Sequence, residues 1–369
     1  MKKIIYIAPI YDGTGYAHMA NQTIMALDKA GHRVTVRKQK LTGQVIPPPE
    51  RVVQLEKQFE PDCPDVIIQH TLPPHFVRTD GYGKHVKNIG YFHWETDNIM
   101  PSSWQFPISL MDEIWVSWED NKTMLEKMMA NNDLPRIPVR VVKGCILPTD
   151  ATSVPSLGFS TLPYTFYHIG DCSVRKGTIE LVTAYLKEFT AADNVQLVIK
   201  SYVDGKSTQD SLNHIADLVN KVKESLRDRV NGNWPKIHLI SNYLSDQGIA
   251  ALHKSCDCFV TLEKGAAWNI PAFDAWTAGR AVIAPDYGGQ VAFLRGDGVT
   301  MLSTTEAPVY GMTQCGYSGV YTAYENWRSP SVTQASQIMR QYYRKGKQSY
   351  ARDLSAFTVE AVAAEMVEV

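Results

Sequence analysis

Four short clusters hold the residues whose types and spacing suit chemistry. The first is Asn269-Ile-Pro-Ala-Phe-Asp274. Pro271 stands at the start of a helical pattern that closes at Gly279, where its missing N–H and fixed φ fit a first helical turn. The free N–H groups of that turn make an anion site, and the Asp274 carboxylate lies one turn further in. An anion site beside a carboxylate suits the phosphates and ribose of a nucleotide. The second cluster, Gly170-Asp-Cys-Ser-Val-Arg-Lys-Gly177, links a strand pattern to a helical one. The third, Tyr91-Phe-His-Trp-Glu-Thr-Asp97, sets His93, Glu95 and Asp97 straight after an apolar strand. Ligands of α/β sheets bind at such strand ends. The fourth, Asp12-Gly-Thr-Gly15, is a glycine loop without the full dinucleotide fingerprint.

These clusters need a scaffold that gathers strand ends, and the periodicity supplies one. Residues 3–9 read as a buried strand, 16–30 as a helix closed by Gly31, and 33–38 as a second strand. That is a βαβ unit, whose crossover implies a parallel sheet. Apolar strands fit 66–69, 88–92, 113–116 and 139–142, with a helix at 121–130. A Pro/Ser/Thr/Gly-rich stretch, 148–163, reads as the domain boundary. Strands then fit 165–170, 195–201, 237–240, 259–262 and 281–284, with helices at 178–189, 209–230, 246–255 and 271–279. From Trp327 onward the pattern is mostly helical. The expected class is α/β, with two doubly wound Rossmann-like domains, 1–150 and 151–330, facing a central cleft. Residues 331–369 are expected to be helices crossing back toward the N-terminal domain.

Composition narrows the functional classes. The chain has 369 residues, 44% hydrophobic and 20% charged, as in a soluble globular protein. Its 37 basic and 38 acidic residues give a net charge of −1, so no global field draws nucleic acid or anionic membrane. Cys63, Cys145, Cys172, Cys256, Cys258 and Cys315 lack zinc-site spacing and read as small buried thiols in a reducing compartment. The N-terminus lacks the pattern of a signal peptide, and no run of about 18 apolar residues exists to span a membrane. A cytoplasmic protein is expected.

The first, second and fourth clusters, together with Tyr243–Val260, whose Ser245 caps a helix that leads into the 259–262 strand, resemble those of a retaining GT-B glycosyltransferase of the family-4 type. The resemblance runs from Lys3 to the C-terminal helices and is closer in the second domain than in the first. It implies a GT-B fold, with an acceptor-side first domain and a second domain that binds a nucleotide-diphosphate sugar. Asp274 then accepts hydrogen bonds from the ribose hydroxyls, and the backbone N–H groups around Asn269 and Ile270 meet sugar and phosphates. Gly15 admits the backbone to the diphosphate. Arg175 and Lys176 stabilise the charge of the leaving diphosphate. His93 hydrogen-bonds the donor sugar near the reaction centre, while Glu95, Asp97 and Trp94, with Trp104 nearby, are acceptor candidates. The glycines of Asp286-Tyr-Gly-Gly289 let the backbone pack closely.

The chain departs from the family pattern at two places. Ala266 stands where the family has the first of two glutamates, and Glu263, three residues upstream, is the nearest substitute. Asp171 stands where an arginine is frequent. Retention implies attack on the face the diphosphate leaves, with a leaving-group phosphate oxygen as base. No DXD-type metal motif is placed to act, so no metal and no cofactor beyond the donor co-substrate are expected. Domain closure would exclude water. The acceptor can be a glycan, a small molecule or a hydroxymethylated DNA base. The last needs a basic face, for which Lys122, Lys127, Arg136, Arg140 and Lys143 are the candidates. Ala266 motivates a rival reading, a non-catalytic relative that binds nucleotide sugars.

Overall fold

The computed structural model describes residues 1–41, 45–80, 86–97, 102–147, 157, 159–229, 232–312, 320–321 and 324–366. The chain divides into two compact units, Met1–Pro148 with Asp353–Val369, and Thr149–Arg352.

In chain order, the first unit contains β1 (Lys3–Ala8), α1 (Gly15–Lys29), β2 (Arg33–Lys38), α2 (Glu50–Glu56), β3 (Val66–His70), β4 (Lys87–Tyr91), α3 (Ser102–Ser109), β5 (Glu113–Val116), α4 (Glu119–Asn131) and β6 (Val139–Val141). Its sheet runs β2-β1-β3-β4-β5-β6, parallel throughout. Runs such as Val-Ile-Ile-Gln-His in β3 are buried along their whole length, as strands covered on both faces require. Helix α1 begins where Thr14 Oγ1 accepts from the Ala17 N–H at 3.4 Å, and Gly31 follows it at φ 85°. The apolar face of α1, with Ile24 and Leu27 fully buried, packs into a core with Tyr6, Ile68, Ile89 and Trp115. Burying each such side chain contributes about 1.5–3 kcal/mol.

The second unit contains β7 (Tyr164–Asp171), α5 (Thr178–Glu188), β8 (Val195–Tyr202), α6 (Thr208–Ser225), β9 (Lys236–Ile240), α7 (Asp246–Ser255), β10 (Cys258–Val260), α8 (Ile270–Thr277), β11 (Ala281–Pro285) and β12 (Val299–Leu302). A hairpin of β13 (Thr304–Pro308) with β14 (Asn326–Pro330) and helix α9 (Val332–Lys345) follow. The main sheet runs β12-β11-β10-β7-β8-β9, again parallel. This is the doubly wound Rossmann order, whose strand order reverses between β7 and β10. In the first unit the reversal lies between β1 and β3.

Three findings correct the sequence reading. The chain after Trp327 does not begin as helix, because residues 326–330 pair antiparallel with β13 and Trp327 is fully buried there. Helix α9 stays with the second unit, its Ala335, Met339 and Tyr342 sharing a core with β7, β8 and α5. The return to the first unit is therefore Asp353–Val369 and not all of 331–369. In that segment, α10 (Val359–Glu365) adds Val362, and Met366 after it, to the first core. The His32 Nε2–H donates to the Met366 carbonyl at 2.9 Å.

Candidate functional site

The second unit carries a dense polar cluster where β7 and β10 end. β7 leaves the sheet through Gly170 and Asp171 into one 3₁₀ turn, Val174–Lys176. β10 leaves it into the loop 261–269, which ends on α8. Two close backbone approaches lock these loops. Gly177 has φ 65°, and a Cβ there would lie 2.0 Å from the Leu262 carbonyl oxygen. The Gly289 N–H donates to the Ala266 carbonyl at 2.8 Å, and a Cβ on Gly289 would lie 1.9 Å from the Ala267 oxygen. Both positions accept only glycine without backbone movement. Below the loop, Trp268, Phe273 and Phe293 pack with centroids 5.0–5.6 Å apart.

Asn269 caps α8 from the left-handed region, φ 66° and ψ 66°, which asparagine tolerates better than most residues. Its Oδ1 accepts from the Ala272 N–H at 3.2 Å, while its buried Nδ2 has no hydrogen-bond partner among the described residues. Ile270 opens the helix and Asp274 lies half-buried one turn on.

Every cation here already has a partner. Lys176 Nζ lies 2.7 Å from Glu263 Oε2, in a pair whose side chains are 14% and 1% exposed. Lys264 Nζ lies 2.8 Å from Glu180 Oε1, donates to the Val174 carbonyl at 3.0 Å and sits 5.3 Å above the Trp327 ring. The buried Arg175 guanidinium donates to the Gly265 carbonyl at 2.9 Å. Burial acts to raise the pKa of Asp171, but the charges of Arg175 and Lys176 outweigh it and hold the carboxyl below its ordinary range.

Beside Asn269 Nδ2, Glu263 and His168 also carry buried polar atoms without a hydrogen-bond partner among the described residues. Glu263 Oε1 is buried without a hydrogen-bond partner. His168 is 1% exposed, and its Nδ1 lies 3.0 Å from the Val260 carbonyl. A carbonyl only accepts, so Nδ1 carries the proton and Nε2 is a bare lone pair. That Nε2 is buried and has no hydrogen-bond partner among the described residues. Burial pushes the pKa of His168 down to about 4.

In the first unit, the structure gathers a different set at the ends of β3, β4 and β5. The Tyr6 hydroxyl lies 2.7 Å from His70 Nδ1, His70 Nε2 lies 2.8 Å from His93 Nε2, and His93 Nδ1 lies 3.1 Å from Ser117 Oγ. Both ring nitrogens of His93 are thus engaged within this unit. The Tyr16 hydroxyl accepts from the His93 N–H at 3.1 Å and donates to its carbonyl at 3.3 Å. Burial holds both histidines neutral, His70 well below its ordinary pKa and His93 at about 3. Glu95 and Asp97 are half-buried and Gly15 is exposed at the start of α1. Trp94 and Trp104 are 1% and 3% exposed and pack edge to face at 5.0 Å. They belong to the interior rather than to an acceptor platform, because Phe92 and Trp94 after β4 both pack on Trp104 of α3.

The structure thus brings Arg175, Lys176, Glu263, Asn269 and Ile270 to one end of the second sheet. It adds His168 and Lys264, which the sequence reading missed. His168 stands alone in an apolar strand two residues before the strand-end Gly170, and that position was the available signal. His70 was missed likewise, although it directly ends the run Val66-Ile-Ile-Gln.

The five described cysteines are free thiols, and Cys315 lies outside the described residues. Among the described residues, no helix is long and apolar enough to cross a membrane. No family model and no curated protein sequence matches this chain. Solved structures do. A trehalose-6-phosphate synthase, OtsA, superposes with a TM-score of 0.60 at 12% identity, covering 100% of this chain and 95% of that one. An alpha,alpha-trehalose-phosphate synthase (UDP-forming) from Burkholderia vietnamiensis gives 0.59 at 9% identity over 99% and 93%. Sucrose-phosphate synthase from Thermosynechococcus elongatus gives 0.57 at 14% identity over 99% and 97%. The fold is that of the GT-B glycosyltransferases, two Rossmann-like units in one chain.

Proposed function

We propose that this protein is a family-4-like glycosyltransferase that moves a sugar from a nucleotide-diphosphate sugar to an acceptor hydroxyl, with retention and without metal. One observation carries the reading: buried polar atoms without a hydrogen-bond partner among the described residues, Glu263 Oε1 and Asn269 Nδ2, lie among the cations Arg175 and Lys176 where β7 and β10 end. A buried polar atom without a partner costs about 1–3 kcal/mol. A ligand with hydroxyl donors and phosphate acceptors would satisfy such atoms together.

Each residue then has a task. Arg175 and Lys176 stabilise the charge that grows on the departing diphosphate. The N–H groups at the start of α8, presented by the left-handed Asn269, meet phosphate oxygens. Asp274 accepts from the ribose. Glu263 serves the sugar hydroxyls where Ala266 has no carboxylate to offer. The acceptor falls to Glu95 and Asp97 of the first unit, while Gly15 and His93 keep the diphosphate and donor-sugar roles that the resemblance implies. The trehalose-phosphate and sucrose-phosphate synthases of like fold favour a sugar phosphate or other small acceptor. A DNA acceptor is the weaker choice, since Arg140 and Lys143 are spent on Glu113 at 2.8 Å and Glu365 at 2.6 Å.

A panel of nucleotide sugars tests the reading by donor hydrolysis and transfer, followed by mass spectrometry. Lys176→Ala and Asp274→Ala should each lower turnover at least tenfold, the size of one lost charge-assisted contact of about 1.5–3 kcal/mol. Binding without turnover over the whole panel would instead support a non-catalytic relative, the reading that Ala266 favours.

A further inference from the structure

We propose that this site binds a nucleoside diphosphate with uptake of a proton, and that His168 Nε2 holds it. The inference rests on the donor-site reading above and concerns a residue which that reading leaves without a role.

The geometry supplies the argument in three steps. The hydrogen bond to the Val260 carbonyl at 3.0 Å fixes His168 as the Nδ1–H tautomer. Its Nε2 is then a buried lone pair without a hydrogen-bond partner among the described residues. Second, that lone pair lies beside the cations. An ideal Cβ built on Gly170 would sit 3.1 Å from His168 Nε2 and 3.5 Å from Lys176 Cδ, so Nε2 and the Lys176 stem flank the same point. Third, the two lysines nearby are already neutralised, Lys176 by Glu263 at 2.7 Å and Lys264 by Glu180 at 2.8 Å, and the Arg175 charge already acts on Asp171.

A diphosphate adds at least two negative charges to this arrangement. It competes with Glu263 for the Lys176 ammonium, and Glu263, with its side chain 1% exposed, cannot turn to water for compensation. An uncompensated buried carboxylate is strongly destabilising. A proton on His168 Nε2 restores the balance and gives the imidazolium both Glu263 and the diphosphate as counter-charges. The charged groups around His168 are Glu263 after β10, Lys176 in the turn after β7 and Asp171 at the end of β7. Lys176 alone among them opposes the proton, and the diphosphate draws its charge away. In the free protein burial keeps the ring neutral, so the proton arrives with the ligand.

Isothermal titration of UDP and GDP near neutral pH, in buffers of different ionisation enthalpy, counts the protons taken up. The wild-type protein should take up roughly half to one proton more per bound nucleotide than His168→Asn, which keeps a donor toward Val260 and deletes Nε2. Glu263→Gln should lose the uptake as well while still binding the nucleotide. His253→Asn serves as a control, since His253 is equally buried but has Arg280 as its charged neighbour; it should leave the uptake unchanged. Undiminished uptake in His168→Asn, with loss only in Glu263→Gln, would put the proton on the carboxylate and overturn the assignment. Nucleotide binding with no net uptake in the wild type would overturn it equally. If neither nucleotide binds, the donor-site reading fails along with it.

Discussion

At the scale of single residues, the second-unit site depends on glycines whose hydrogens face carbonyl oxygens. Gly289 and Gly31 make a useful pair. Gly289 faces the Ala267 oxygen, with 1.9 Å left for a Cβ, whereas Gly31 at φ 85° has nothing within 4 Å of a Cβ. Gly289→Ala must therefore move the 266–268 backbone. It should lower stability by about 1–3 kcal/mol or more and weaken nucleotide binding. Gly31→Ala pays only left-handed strain, about 1–2 kcal/mol, and should leave binding intact. Urea midpoints together with nucleotide titrations separate the two variants. Equal binding losses would mean that Gly289 acts through general stability rather than through the loop it packs on.

At the scale of elements, α8 joins fold and site through one residue. Asn269 supplies the left-handed turn, the cap to Ala272 at 3.2 Å and an Nδ2 without a hydrogen-bond partner among the described residues. Asn269→Ala should lose the cap, about 0.5–2 kcal/mol, and add left-handed strain of about 1–2 kcal/mol. Asn269→Gly should keep the turn and cost only a few tenths. Both delete Nδ2, so thermal melts should separate the variants while nucleotide affinity falls alike in both. An unchanged affinity in Asn269→Gly would remove Nδ2 from the site. The same element shows why so much was legible in sequence. Pro271, Gly279 and the flanking apolar runs mark α8 and its strands by local chemistry alone, and the parallel units follow from their alternation. What escaped was set by contacts between elements. The strand β14 exists because β13 pairs with it, and 326–330 has no strong period of its own. His168 and His70 sit in strands that read as uniformly apolar, and only the spatial neighbours Lys176, Glu263 and His93 give them a role. The spacing of a motif can place Asn269 and Asp274, but it cannot say that Lys176 lies on Glu263.

At the scale of the molecule, burial holds four histidines neutral, His70 and His93 in the first unit and His168 and His253 in the second. Burial lowers His70 well below its ordinary pKa and lowers the others to about 3, about 4 and about 3 respectively. The unfolded chain protonates each of them near pH 6.5, about 2.5 pH units or more above the folded values. The unfolded state therefore binds more protons in that interval, and stability is intact above about pH 6.5 and falls as the pH drops. The slope approaches about 1.4 kcal/mol per pH unit for each histidine, or roughly 2–3 kcal/mol per pH unit in each structural unit. Asp171, held low by Arg175 and Lys176, adds its own loss at still lower pH. Hydrogen exchange read separately over β1–β6 and β7–β12 between about pH 7 and pH 5 measures both slopes, after correction for the intrinsic exchange rate. His253→Asn, which can still bond the Tyr167 hydroxyl now 2.7 Å from His253 Nδ1, should roughly halve the slope in the second unit and leave the first unchanged. A flat profile down to about pH 5 would mean that the folded histidines protonate without opening either sheet, and the burial argument for all four would fall with it.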